Sequence, residues 1–387
     1  MTHYSKALFH LGMLNLLLVG MPLVGAKLAG KPLTLYLGFP PLAPKVVLLD
    51  FSWPILLVYG LVEILLYAAL VYLLWPKKRL EVRLSRRFPG WGLIMLAYLG
   101  FAWYLAWQRP AWAGSWLNHT FTLLWLGYIG VVNALCVWRG GWSLLTHRLR
   151  YFLGLFPLSA LFWWYFEYLN RFVGNWHYVG VESLTPWQYF IQATLPFSTV
   201  LPAVISTMAL LSMFPLGREQ AFPPLVSGSP RMWAWLVLFF AGLGLVGVGR
   251  WPQWFFPLLW CAPLLLFVSL QVLLGEKTYF APLAEGRWEI VALPALAALV
   301  CGFFWEMWNY WSVPKWVYTV PFVSCCKIFE MPLLGYAGYL PFGLECAVIA
   351  HWWARLLNRR DDSAARSFIS IPDDGAGQAC LDQPGPE

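Results

Sequence analysis

Apolar residues fall along the chain in long blocks separated by short polar or aromatic stretches. Ten blocks can be drawn, at residues 8–26, 51–75, 91–107, 120–138, 151–172, 187–214, 232–249, 254–274, 289–311 and 338–357. Most approach the roughly 20 residues that, at about 1.5 Å per helical residue, cross some 30 Å of hydrocarbon. The pattern predicts an all-α fold: a polytopic integral membrane helical bundle of about ten transmembrane helices. The first block holds His10, Asn15 and Pro22, and suits a span, an uncleaved anchor, a re-entrant segment or part of a signal sequence; no small-residue cleavage site stands out.

Composition makes the membrane reading compelling. Of 387 residues 60% are apolar and 11% charged, a balance that a soluble domain could carry only with a very large exposed apolar surface. The net charge of +8 does not point to nucleic acid, because Lys and Arg are confined to short connections and are densest in "PKKRLEVRLSRRFPGW" after the second block. That is a positive-inside pattern. If the first block spans, residues 76–90, 139–150, 215–231, 275–288 and the C-terminal tail share one side with the N-terminus. That side is expected to be the cytoplasm, and the membrane the cell (inner) membrane. The opposite side receives 27–50, 108–119, 173–186, 250–253 and 312–337, rich in Trp, Tyr and Pro. The tail 358–387 is polar and rich in Gly and Pro, and is expected to be disordered.

An internal repeat is the more informative signal. "FWWYFEYLNRFVGNWHY" and "FFWEMWNYWSVPKWVY" share the order E-x-x-N, a short spacer, then W-x-Y, so that Glu167, Asn170, Trp176 and Tyr178 match Glu306, Asn309, Trp316 and Tyr318. "TLPFSTVLPAV" then answers "YLPFGLECAV", and "QRPAWAGSWLNHTFTLLW" answers "RWPQWFFPLLW". The division expected is a two-helix segment at 1–90, a four-helix unit at 91–214, a cytoplasmic linker at 215–231, a second four-helix unit at 232–357, and the tail. An even number of spans per unit makes the units parallel repeats, related by an axis near the membrane normal.

On a helix, residues three apart share a face, so each Glu and Asn pair is expected to present a carboxyl beside an amide at the outer end of a span. A carboxyl held there as the neutral acid could deliver a proton to a weak base. The plainer alternative is that the carboxyls cap or bridge helices. Glu345 and Glu63 lie deeper in apolar blocks. Glu345 follows the repeated Leu-Pro-Phe, whose first copy has Ser198, Thr199 and Val200 and no acid, whereas Glu63 reads as an inter-helix contact. Glu330 stands before a Pro in the long outer segment, either in a turn covering the site or facing water. Trp176, Tyr178, Trp316 and Tyr318 are ordinary interfacial residues or the π-faced wall of an apolar cavity. His177, a lone interfacial imidazole, is not expected to be a ligand. The seven cysteines have no paired metal spacing; Cys325 and Cys326 are merely adjacent. No metal or cofactor site is expected.

The tandem order of aromatic and acid, spacer, W-x-Y and Leu-Pro resembles the membrane-embedded lycopene cyclase domain family of carotenoid pathways. The stretches that carry the likeness are "WYFEYLNRFVGNWHY" with "LPFSTV" and "FFWEMWNYWSVPKWVY" with "LPFGLE", which with the residues between the members of each pair make up about a fifth of the chain. The resemblance implies a cofactor-independent isomerase that closes the ends of a linear polyene by protonating a terminal double bond. The family hallmark, Pro-x-Glu-Glu or Pro-x-Glu-Asp, is not intact: Glu345 comes two positions later than the first family acid. The expected enzyme acts on an isoprenoid or other apolar lipid, with Glu306 as acid, Asn309 as its orienter, Glu345 or Glu167 as base, Asn170 beside Glu167, and Trp176, Tyr178, Trp316, Tyr318 and Glu330 around the substrate. The competing expectations are a transporter of lipid or another hydrophobic molecule, and a structural subunit of a membrane complex.

Overall fold

A computed structural model describes residues 3–41, 50–75, 87–216, 222–225 and 228–357. The tail 358–387, residues 76–86 of the basic connection and 217–221, 226 and 227 of the linker lie outside the described residues. The chain runs through α1 (His3–Leu28), the single turn α2 (Thr34–Leu37), α3 (Trp53–Leu74), α4 (Gly90–Gln108), α5 (Thr120–Gly140), the short α6 (Leu144–His147) and α7 (Leu149–Val173). Strand β1 (Trp176–Val179), α8 (Pro186–Phe197) and α9 (Val200–Leu211) follow. Next come α10 (Pro230–Arg250), the short α11 (Pro252–Phe255), α12 (Ala262–Leu273) and α13 (Glu289–Trp311). The chain then forms strand β2 (Lys315–Tyr318), the two-residue strands β3 (Lys327–Ile328) and β4 (Met331–Pro332), and α14 (Tyr339–Leu357).

Among the described residues, eight helical segments are long and apolar enough to cross a membrane, or nine if α11 and α12, bent by 55° at their junction, form one broken span. This is a membrane protein by those helices, with fewer qualifying spans than the ten blocks suggest. The difference is α7. It is 25 residues long, yet it carries Arg150, Glu167, Asn170 and Arg171, and falls outside that group. The last three are buried against protein. Arg171 donates to the backbone carbonyls of Tyr36, Gly38 and Pro40, pinning the connection after α2 to the end of α7.

The block 187–214 corresponds to one candidate span, Pro186–Leu211, interrupted in its middle. Pro202 has no N–H to offer the preceding turn, and α8 stops at Phe197 while α9 restarts at Val200. The loose backbone ends are taken up by Ser159 of α7, whose hydroxyl donates to the Phe197 carbonyl (2.6 Å) and accepts from the Leu201 amide (3.0 Å).

Helix α13 packs against α14, α9 and α3, and α5 lies against α4 and α9. Helices α1 and α10 approach through glycine. A Cβ at Gly25 would fall 1.9 Å from the Val246 carbonyl oxygen, and one at Gly249 2.0 Å from that of Pro22, so only Gly lets these backbones meet. Outward faces are apolar: Leu57, Leu61, Ile64 and Leu65 of α3 are exposed, as suits contact with lipid.

The ends of α7 and α13 are joined by β1 and β2, which pair antiparallel with Trp176 opposite Tyr318, His177 opposite Val317, Tyr178 opposite Trp316 and Val179 opposite Lys315. Each W-x-Y therefore faces the other with its order reversed, which is a local two-fold relationship.

Candidate functional site

Helix α7 ends on Gly174, in the left-handed conformation, whose N–H returns to the Asn170 carbonyl (2.7 Å). The Asn170 side chain then captures the outgoing chain. Its amide donates to the Trp176 carbonyl (2.7 Å) and its oxygen accepts from the Asn175 amide (2.8 Å). In the second half, Asn309 donates to the Trp316 carbonyl (2.8 Å) and accepts from the Trp316 amide (2.9 Å). Both amides thus clip a strand to the helix end, rather than orienting the neighbouring carboxyl as the i, i+3 spacing suggested. The last turn of a helix lacks internal partners, and an amide placed there finds backbone first.

The strand period does what the helix spacing does not. Residues two apart share a face of a strand, so Trp176 and Tyr178 turn toward α7 together. Glu167 Oε1 accepts from Tyr178 Oη (2.6 Å), Trp176 Nε1 (3.1 Å) and Trp163 Nε1 (3.0 Å). Glu306 Oε1 accepts from Tyr318 Oη (2.7 Å) and Tyr339 Oη (2.7 Å), while Trp316 Nε1 donates to Tyr318 Oη (2.8 Å). Both carboxyls are sealed, at 1% and 0% exposure. Glu306 Oε2 is buried with no hydrogen-bond partner. Burial, reinforced by the adjacent carboxyls, pushes the Tyr178 and Tyr318 phenols well above their ordinary range, so both stay protonated donors at neutral pH.

Between the two carboxyl sites lies a partly open cavity. Trp163, Trp176 and Tyr178 line it from one half, and Trp305, Trp316, Tyr318 and Tyr339 from the other, with Trp260 and Met331 between. Glu167 and Glu306 are not among its lining residues. Each is hydrogen-bonded to tyrosines of the wall, Glu167 to Tyr178 and Glu306 to Tyr318 and Tyr339. An apolar chain entering this space would meet aromatic rings from both halves, whose π faces stabilise cationic charge.

Glu345 is placed elsewhere. It is buried on α14 and lines a second, partly open groove between α1, α7, α12 and α14, where its Oε1 accepts from the Leu264 amide (3.2 Å). Phe342, fully buried and in ring contact with Phe162, Trp163, Phe166, Trp260 and Trp305, stands between the two spaces. Glu330 sits in the turn between β3 and β4 and pairs with Lys315 Nζ (2.5 Å), beside but not in the cavity wall. Glu63 is buried on α3, the helix packed on α13. His177 occupies the β1–β2 ladder. No group of three His, Cys, Asp or Glu able to hold a metal ion occurs among the described residues.

Tyr339, Trp163, Trp260 and Trp305 complete the site and were not singled out by sequence. Trp163 is the one with a local signal, four residues and so one turn before Glu167. The chain matches no family model, no curated protein and no solved structure.

Proposed function

We propose that the protein is an isomerase of the lycopene-cyclase type, acting on the end of a linear isoprenoid or similar apolar polyene inside the aromatic cavity. The observation that carries this reading is that one apolar, π-lined space touches three phenols, each hydrogen-bonded to a buried carboxyl. A proton from Glu306 passes through Tyr318 or Tyr339 to a terminal carbon–carbon double bond, leaving a carbocation on the adjacent carbon. A second double bond of the same chain supplies the electron pair that closes the ring and moves the positive charge. Loss of a proton from the neighbouring carbon, through Tyr178 toward Glu167, restores a double bond, so the product is an isomer and no electrons are lost or gained. The Trp and Phe faces favour the cationic stage. In this scheme Glu306 and Glu167 are proton reservoirs acting through tyrosine. Glu345, walled off by Phe342, has no part in it.

The matched wiring of Glu167 with Tyr178 and of Glu306 with Tyr318, joined by the β1–β2 ladder, supports a duplicated four-helix unit in parallel orientation. With α7 counted as a further span and the Lys- and Arg-rich connections placed inside, both termini are cytoplasmic and the protein sits in the inner membrane. A purely structural subunit would not need the cavity.

The test is co-expression in cells that accumulate a linear polyene such as lycopene, with chromatography of the extract and mass spectrometry of lipid bound to the purified protein. A ring-bearing isomer of unchanged mass is expected with the native chain, and its loss with Glu306→Gln and with the double change Tyr318→Phe and Tyr339→Phe. Unchanged bound lipid and unchanged chemistry in Glu306→Gln would overturn the proposal.

A further inference from the structure

The groove that Glu345 lines is separate from the aromatic cavity, and the two share no lining residue. Its walls are apolar apart from Glu345, Asn15, Tyr165 and the indole of Trp352, with Leu14, Leu161 and Ile349 typical of the rest. Asn15 and Tyr165 satisfy each other: the Tyr165 hydroxyl donates to the Asn15 side-chain oxygen, and the Asn15 amide donates to the Leu11 carbonyl (2.7 Å). Glu345 is different. It is 2% exposed, only Oε1 is bonded, and Oε2 is buried with no partner. A buried carboxyl oxygen left unmet is destabilising, a penalty that a ligand bearing the missing group would remove.

Height in the membrane narrows that ligand. Glu345 is the thirteenth of the 25 residues of Leu333–Leu357, a helical segment long and apolar enough to cross a membrane, and so stands near its middle. The head groups of phospholipids lie at the two ends of such a span, away from Glu345. A lipid that meets Oε2 must therefore bear its polar group part-way along an apolar chain. Among the described residues, no Lys, Arg or His lines the groove. A hydroxyl both donates and accepts, and so satisfies the open oxygen whichever way the carboxyl carries its proton.

We propose that the groove between α1, α7, α12 and α14 binds a long-chain lipid alcohol whose hydroxyl, borne within the chain, hydrogen-bonds Glu345 Oε2. This site stands independently of the reaction proposed for the aromatic cavity, from which Phe342 divides it.

The experiment uses the purified full chain in detergent micelles, titrated with a stearyl-length secondary alcohol carrying its hydroxyl at mid-chain, and with the chain-matched alkane, bound ligand being counted by native mass spectrometry. The alcohol is expected to bind at least about tenfold more tightly than the alkane, the ratio equivalent to one hydrogen bond of about 1.4 kcal/mol. Glu345→Leu should remove that preference and Glu345→Gln should keep most of it. Should Glu345→Leu not fold, Leu161→Trp, a change at an exposed position of the groove wall, should abolish alcohol binding. Ala193→Trp, which fills the aromatic cavity instead, should leave it intact. Equal binding of alcohol and alkane, a preference that survives Glu345→Leu, binding that survives Leu161→Trp or is lost in Ala193→Trp, or still tighter binding of the chain-matched amine would each overturn the assignment.

Discussion

Tyr339 lies so close to Gly302 that a Cβ built on that glycine would fall 2.4 Å from its ring. Gly302 stands four residues before Glu306, as Trp163 stands four residues before Glu167. The two halves thus fill the same place by opposite means: in one a Trp on the helix donates to the carboxyl, and in the other the helix leaves a gap through which Tyr339 reaches it.

Gly302→Ala should consequently destabilise the protein, although Ala normally gains about 1 kcal/mol over Gly within a helix. The methyl would displace Tyr339 from its stack on Trp305 and from Glu306, an overpacking cost of about 1–3 kcal/mol. Thermal unfolding in micelles measures the loss. The double change Gly302→Ala with Tyr339→Ala should cost less than the sum of the two singles, because the second removes the clash made by the first. Strict additivity would contradict the contact.

Glu167→Leu should be more damaging than Glu306→Leu. The first strands three donors, from Trp163, Trp176 and Tyr178, and the second strands two, from Tyr318 and Tyr339. At about 1–3 kcal/mol for each buried group left unmet, Glu167→Leu should lose upwards of about 3 kcal/mol and Glu306→Leu upwards of about 2 kcal/mol. Gln at either position keeps an acceptor and should lose much less. Denaturant titration of the four variants gives the order, and an inverted ranking of the two Leu variants would count against the bonding described.

The contact between α1 and α10 at Gly25 and Gly249 provides a control at residues that line neither cavity. Gly249→Ala would place a carbon 2.0 Å from the Pro22 carbonyl oxygen, a backbone atom that cannot turn aside. The helices must separate, with an expected loss of at least about 2 kcal/mol and a lowered yield of folded protein. Gly12→Ala, on an open stretch of α1, should be neutral or slightly stabilising. Equal behaviour of the two variants in size-exclusion profile and melting temperature would refute the close approach.

Several features of the fold and site can be read from the residue order alone, and others cannot, for physical reasons. Block 289–311 coincides with α13 and block 51–75 nearly with α3, because unbroken apolar stretches of membrane length leave the backbone few alternatives to a helix. The break in 187–214 was written in Pro196 and Pro202, but whether a proline kinks a span or splits it depends on a neighbour able to satisfy the freed groups. Here that neighbour is Ser159 on another helix. Glu167 and Glu306 announced themselves as acids among aromatic rings. Tyr178 and Tyr318 stood beside them in the W-x-Y repeats, but Tyr339 did not: it reaches Glu306 across a chain separation that no local periodicity records. Asn170 and Asn309 were legible as polar groups on the same face as the acids, yet their bonding followed the demand of the helix end instead. The separation of Glu345 from the others depends on Phe342, one helical turn away on the same helix, whose importance lies in its ring contacts and not in its type.

The ladder of β1 and β2 gives the two halves a common latch. Asn170 precedes Trp176 by six residues and Asn309 precedes Trp316 by seven, yet the tyrosine of each W-x-Y turns to its carboxyl. The spacers absorb that odd residue, so the shared register, and not the length of either spacer, fixes which way each pair faces.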